Sequence, residues 1–490
     1  MNYCTPEKMG ISSENILKYL KVLEERRLAT HDVIIMRGDN IITEAYWKPF
    51  HKDFLHRMYS VTKSFVGIAI GFLEQDGLIA LDDEIAKYFP EEMEAQTDYN
   101  MRHQTIRNML MMSTAKIERY WFTSGCTDRV KYYFENDNTE SRPGGTIFQY
   151  DSTGSFILGA LVERLTGKTI LDYLREKFLD KIGFSKEAYM LKCPGGHSWG
   201  DSALLCTPND LLKVAKFMMN KGKWNGEHIL NEKYATDAVS NLIMCTSLND
   251  CQFESFGYGY LIWRTFDNSF FFNGMGCQLA ICVPDKDIIL IYNADNQGKV
   301  YAKDIIIDNF FDIVVRPASD GELPENPKAK AELDAMIENL TLAVAIGEKE
   351  SPTADKINGK TYKMDYNPMG IEKIKFTFDE NGGVFCYTNE QGDKEIPFKF
   401  GENAFHKFPQ EGYSDMVGTE KSDILYDCAS SGAWIRENVL QLKIQVIDKY
   451  FGNLHALFSF RDDIVGVRMN KVAENFMNEY HGYAGGKLAE

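Results

Sequence analysis

None of the ten cysteines in this chain belongs to a CxxC pair. They are scattered singly, which argues against a disulfide scaffold and for free, buried thiols in a reducing, cytoplasmic setting. Histidine is also scarce, nine in 490 residues, with no HxH or HExxH spacing. No metal-ligand cluster is visible, and no cofactor is implied. Basic residues are the minority: 54 Lys and Arg against 71 Asp and Glu leave a net charge of −17. That balance argues against nucleic acid or an anionic membrane as the main partner. No apolar run reaches the roughly 20 residues of a membrane-spanning helix. The opening "MNYCTPEKMGISSENILKYL" has no basic start, apolar core and small-residue cleavage site, so no signal peptide is expected.

The chain is rich in apolar residues, 44%, and it exceeds the roughly 250–300 residues at which single cores stop growing, so two or three domains are expected. "SSENILKYLKVLEERR" reads as a capped amphipathic helix, and "DVIIMRGDNIITEAYW" as a hairpin turning at Gly38-Asp39-Asn40. Residues 84 to about 250 read as mostly helical. Strand patterns return in "YGYLIWRTF", "SFFFNGMGCQLAICV" and "DIILIYNAD", and a helix, "YAKDIIIDNFFDIVV", closes this part. Strands on both sides of a helical middle predict one domain over 1–315 with a helical insertion. A Pro- and charge-rich linker with a short helix is expected over 316–354. From 355 to 490 short period-2 segments separated by turns predict a small antiparallel sheet or barrel.

The chemistry begins at "HRMYSVTKSFVGIAIGFL". Ser60 and Lys63 stand one helical turn apart on the same face. The helix that follows is apolar all round and therefore buried. A serine hydroxyl needs a base beside it to become a nucleophile. A lysine serves as that base when burial disfavours its ammonium form. The bland alternative is a serine N-cap with a snorkelling lysine. A second copy, "STAK" at Ser113 to Lys116, ends a helix instead of starting one and is read as coincidence. In "FQYDSTGSFILGAL", Tyr150 and Ser152 lie just before a helix. A phenol there could complete a proton relay, or simply pack. In "FFFNGMGCQLAICV", Gly274 and Gly276 break a strand pattern, which marks a close backbone approach or a bulge.

"SVTK", "YDS" about ninety residues later, and a glycine-rich strand about 120 further on together resemble the serine β-lactamase and penicillin-binding-protein superfamily. The resemblance is strongest to its class C-like, β-lactamase-related branch of carboxylesterases, D-aminopeptidases and 6-aminohexanoate-dimer hydrolases. "LEQDGLIALDDEIAKYFPE", "TIRNMLMMST" and "LLCTPNDLLKVAKFMMN" carry it further, over roughly 1–315. It implies an α+β, β-lactamase-like fold: an antiparallel sheet flanked by helices, plus an all-helical subdomain. It also implies a serine hydrolase forming an acyl-enzyme, with Ser60 as nucleophile, Lys63 as its base and Tyr150 as second acid/base. Ser152, Asn273, Gly276 and Cys277 would line the oxyanion and substrate site, with the oxyanion N–H at Gly276 or Cys277. The partner implied is a small ester, amide or short peptide, and a homo-oligomer is left open.

Two departures stand out. Ser152 replaces the family's Tyr-x-Asn amide, and "NGMGCQ" replaces Lys-Thr-Gly or His-x-Gly. Both weaken the case for β-lactam chemistry and leave an esterase or amidase. The segment around "ASSGAWIRENVLQLKIQVID" resembles the small, lipocalin-like β-barrel domains appended to some D-aminopeptidase-like members. Two rivals remain at this point. "GHSWG" matches the GxSxG elbow of α/β-hydrolases and would make Ser198 the nucleophile, although Pro194 and Pro208 disfavour the strand-turn-helix this needs. The other rival is a non-catalytic, penicillin-recognising sensor or scaffold.

Overall fold

The strand from Thr30 to Arg37 is buried along all but its last residue. A strand covered on both faces belongs in the centre of a sheet. The computed structural model describes residues 1–116, 126–135, 140–245, 252–410, 424–474 and 476–489. The chain divides into two compact units, one spanning Met1–Thr341 and the other beginning at Leu342. That division falls inside the 316–354 stretch.

In the first unit, β1 (Asn2–Tyr3), β2 (Thr30–Arg37) and β3 (Asn40–Tyr46) open the chain. Next, β4 (His56–Arg57), β5 (Tyr189–Met190) and β6 (Leu204–Cys206) form a small sheet in the order β4-β6-β5. A hairpin follows, β7 (Lys223–Trp224) with β8 (Glu227–His228). The chain returns to the first sheet with β9 (Trp263–Arg264), β10 (Phe270–Gly274), β11 (Gln278–Val283) and β12 (Ile288–Ala294). The order is β1-β3-β2-β12-β11-β10-β9, antiparallel except between β1 and β3. Strands from both ends of the unit therefore meet at the β2–β12 pair, as the sequence pattern implies. The two- and three-residue strands of the middle part are too short to show a period in the sequence.

The helices are α1 (Ser13–Glu25), α2 (Val61–Gln75), α3 (Tyr99–His103), α4 (Ile106–Leu110), α5 (Arg129–Phe134) and α6 (Ser152–Thr166). They continue with α7 (Ile170–Leu174), α8 (Pro208–Met219), α9 (Glu232–Ala238), α10 (Ala302–Asn309) and α11 (Pro327–Glu338). Helix α11 packs on α1. Helix α2 is buried from Val61 through Leu73. Its seven large apolar side chains, Val61, Phe65, Val66, Ile68, Ile70, Phe72 and Leu73, contribute about 1.5–3 kcal/mol each. That sum offsets the cost of burying one lysine amine among them. Gly71 is fixed by a close approach, since a Cβ there would sit 2.4 Å from the Tyr234 ring, whose hydroxyl donates to the Gly67 carbonyl at 2.5 Å. The small residue lets a whole aromatic ring lie against the helix.

The second unit opens with α12 (Pro352–Ile357) and continues as β13 (Thr361–Met364), β14 (Lys373–Phe378), β15 (Gly382–Asn389), β16 (Gly392–Phe400) and β17 (Ala404–Lys407). It ends with β18 (Asp427–Arg436), β19 (Val439–Ile447), β20 (Phe451–Arg461), β21 (Ile464–Ala473) and β22 (Gly482–Leu488). Neighbouring strands pair in the order β16-β15-β14-β13-β22-β21-β20-β19-β18-β17, and a parallel β16–β18 pairing closes nine of them into a barrel. Phe376, Phe385, Phe398, Phe458 and Phe460 are buried together in edge-on and stacked contacts. Aromatic packing thus forms the core of the barrel.

One buried acid in the central sheet yields a stability prediction. Asp32 on β2 accepts from Asn293 Nδ2 at 2.8 Å, and burial pushes its carboxyl up to about 8. The folded chain holds a proton that the unfolded chain releases near pH 4. This contribution is therefore complete below pH 4 and is lost as pH rises toward 8. Asp32→Asn is expected to raise the melting temperature more at pH 8 than at pH 5. Equal shifts at the two pH values would contradict a protonated Asp32.

Candidate active site

Ser60 stands at the start of α2 with φ −66° and ψ −9°, and its side chain caps nothing. Its hydroxyl instead accepts a hydrogen bond of 2.9 Å from Lys63 Nζ. Lys63 is 2% exposed, so it does not snorkel, and the capped-helix alternative is discarded on both counts. The amine also donates to the Asp201 carbonyl at 2.7 Å and lies 5.1 Å from the Tyr150 ring centroid. Immediately before the serine, Tyr59 holds φ +46° although it is a bulky aromatic residue. Such strain costs about 1–3 kcal/mol and survives only where the surroundings over-determine it. Here Tyr59 is fully buried with the Arg57 guanidinium 4.6 Å from its ring.

Tyr150 is held from behind. Its ring stacks on Trp263 at 5.8 Å and 18°, and Trp263 packs edge-on against Phe148 and Tyr258. The next residue, Asp151, caps α6 by accepting from the Gly154 N–H at 2.9 Å. Ser152 is therefore the first residue of the helix rather than a residue ahead of it. Burial pushes the Asp151 carboxyl up, while its bonds from Thr153 and Gly154 pull it back.

The glycine-rich turn accounts for one of the two expected oxyanion donors. The Cys277 N–H donates to the Gly274 carbonyl at 3.1 Å, closing the β10–β11 turn, and the Gly276 carbonyl accepts from Asn296 N at 3.0 Å. Both residues have left-handed backbones, φ +79° at Gly276 and +73° at Cys277. The Cys277 N–H is thus spent inside the turn. The Gly274 carbonyl and the Met275 N–H share one trans peptide and point oppositely. Because that carbonyl faces into the turn, the Met275 N–H faces out of it, away from β11. Gly274 lies so close to the start of α2 that a Cβ would come within 2.4 Å of the Met58 carbonyl. The N–H groups of Ser60, Met275 and Gly276 donate to no acceptor among the described residues. Asn273 donates from Nδ2 to Glu254 Oε1 at 3.2 Å, and Glu254 pairs with Lys303.

Ser198 lies elsewhere. Its backbone bridges Lys192 and its N–H donates to Glu163 at 3.1 Å, with no strand running into it and no helix leaving it. The adjacent Trp199 is buried with two guanidinium groups against its ring, Arg57 at 4.6 Å and Arg129 at 5.7 Å. "GHSWG" is therefore a scaffold loop that carries the Asp201 carbonyl to Lys63, not a nucleophile elbow. At the second SxxK, the Ser113 hydroxyl donates to the Asn108 carbonyl at 3.0 Å, at the end of a helix. Sequence reasoning misses both Asp201 and Met275. Each presents a backbone atom to this region, and backbone atoms leave no mark in residue type. Among the described residues no group of three or more His, Cys, Asp or Glu is placed to hold a metal, and no helix is long and apolar enough to cross a membrane.

Comparison with known proteins agrees with this architecture. The family model described as Beta-lactamase matches residues 20–306. The chain is 24% identical over 254 residues to 6-aminohexanoate-dimer hydrolase of Paenarthrobacter ureafaciens, covering 48% of this chain and 64% of that protein. It is 28% identical over 176 residues to Esterase EstB of Burkholderia gladioli, covering 31% of this chain and 44% of the esterase. Less than two thirds of either relative's length is thus spanned. Among solved structures, "EstCE1, a hydrolase with promiscuous acyltransferase activity" superposes with a TM-score of 0.51 at 13% identity, covering 62% of this chain and 98% of that one. At that identity the likeness shows a shared fold. With the family match over more than half its length, and with hydrolases among its relatives, this chain belongs to the beta-lactamase family.

Proposed function

We propose that this protein is a serine hydrolase that cleaves an ester or amide bond in a small molecule or short peptide through an acyl-enzyme on Ser60. The observation that carries the proposal is the 2.9 Å contact between Lys63 Nζ and Ser60 Oγ at the mouth of a buried helix. In this mechanism Lys63 takes the Ser60 proton as the oxygen attacks the carbonyl. The N–H groups of Ser60 and Met275 receive the developing oxyanion, aided by the positive end of α2. Tyr150 hands a proton to the leaving group and then helps a water release the acyl group. The absence of a lysine or histidine from "NGMGCQ" supports an ester or amide substrate over a β-lactam. The relatives described as an aminohexanoate-dimer hydrolase and an esterase support the same class.

Turnover of an activated ester such as p-nitrophenyl acetate tests the roles. Ser60→Ala is expected to abolish it. Tyr150→Phe is expected to lower kcat by about 10²–10⁴-fold, the range for loss of a positioned acid/base. Full activity in Ser60→Ala would sink the proposal. Gly274→Ala probes the oxyanion site, because the added methyl collides with the Met58 carbonyl and disturbs both Met275 and the approach to Ser60. A loss of about 10²-fold in kcat is expected. An unchanged kcat would show that Met275 gives nothing to the oxyanion.

A further inference from the structure

Successive carbonyls of the β10–β11 turn are each held by a different donor. The Gly274 carbonyl takes the Cys277 N–H at 3.1 Å, and the Gly276 carbonyl takes the Asn296 N–H at 3.0 Å. Between them, the Met275 carbonyl accepts from the side-chain amide of Gln278, Nε2, at 2.7 Å. Gln278 is the first residue of β11 and is fully buried.

The same amide grips β12. Its Nε2 also donates to the Ala294 carbonyl at 2.8 Å, and its Oε1 accepts from the Ala294 N–H at 3.1 Å. The backbone ladder between β11 and β12 reaches no further than Leu279 opposite Tyr292. Beyond that pair the Gln278 side chain takes the place of a strand backbone, since a carboxamide combines a carbonyl with two N–H donors. Gly276 gives the amide its room. A Cβ there would sit 3.0 Å from Gln278 Nε2 and 3.1 Å from the Ala294 carbonyl.

A trans peptide sets its N–H opposite its carbonyl. With the Met275 carbonyl drawn back to Gln278, the Gly276 N–H points the other way, and it donates to no acceptor among the described residues. We propose that Gln278 is a positioning residue for acyl transfer, whose amide ties the turn to β12 and holds the N–H groups of Met275 and Gly276 toward the oxyanion formed at Ser60. This rests on the serine-hydrolase reading above. Gln278 acts only through the turn and meets no reacting atom. Donors to an oxyanion accelerate a reaction when they are aimed before the charge develops. Flipping the peptide between Met275 and Gly276 would replace an outward N–H with a carbonyl, which repels an oxyanion. The bond from Gln278 opposes that flip.

The test uses the full chain and p-nitrophenyl acetate, with kcat expressed per active serine, counted by exhaustive fluorophosphonate labelling. Gln278→Met keeps the length of the side chain and removes its hydrogen bonds. Its kcat per active serine is expected to fall by about 10²-fold, the scale of a small misplacement at a reacting centre. Inhibition by phenylboronic acid, whose adduct with a serine is a tetrahedral anion, should weaken by a similar factor. A merely structural role would lower the melting temperature and the number of labelled serines, but leave kcat per serine and boronate affinity as in the wild type. That result overturns the proposal. Gln278→Glu decides if Gln278→Met does not fold. Protonated, its carboxyl can still donate to the Met275 carbonyl, and ionised it cannot. Its kcat per active serine, relative to that of the wild type, is therefore expected to fall as pH rises, and a constant ratio overturns the proposal. Wild-type protein without turnover would instead overturn the hydrolase reading, and this inference with it.

Discussion

A lysine amine held in an apolar helix, 2.9 Å from a serine hydroxyl and 2.7 Å from a backbone carbonyl, is the feature around which the first unit is arranged. The chain meets it with elements that lie far apart in sequence. Helix α2 supplies the serine and the lysine, the loop before α6 supplies Tyr150, and the loop before β6 supplies the Asp201 carbonyl. Bringing Asp201 to Lys63 spans 138 positions. In that loop Trp199 packs against the guanidinium groups of Arg57 and Arg129. Losing the Asp201 carbonyl would deprive the buried Lys63 amine of one of its two acceptors, a greater cost than the loss of one surface contact.

The strain at Tyr59 belongs to the same design. A positive φ directly before Ser60 turns the chain sharply from β4 into α2, which leaves the Ser60 N–H outside the helical hydrogen-bond ladder. The β10–β11 turn, which comes close to the Met58 carbonyl at Gly274, does likewise. Its two left-handed residues and the Cys277-to-Gly274 bond aim the Met275 N–H outward. Two short irregular segments thus present N–H groups that donate to no acceptor among the described residues. That division between a rigid scaffold and specialised loops is how many folds carry chemistry.

Much of this is legible in the sequence. The all-apolar stretch after Lys63 announces a buried helix, and glycines in "NGMG" mark a close approach that the structure places at Met58. Alternating patterns in the last third announce antiparallel strands. What stays hidden has a common physical cause. The Cys277 N–H is taken up by the Gly274 carbonyl because the turn type depends on a positive φ at Cys277, which residue identity does not signal. The acceptor for Lys63 is a main-chain carbonyl, which any residue could supply. The closure of the barrel runs through a parallel pairing of β16 with β18, and non-sequential pairing cannot be read from period-2 alternation. "GHSWG" misleads for the converse reason: its spacing matches an elbow, but its surroundings supply neither strand nor helix.

An activated serine at position 60 is tested most plainly by covalent labelling with a fluorophosphonate probe, followed by peptide mapping. One label per chain is expected, on the peptide carrying Ser60, with its loss when Lys63 is replaced by alanine. A label on Ser198, or a folded chain that takes no label at all, would contradict a lysine-activated Ser60.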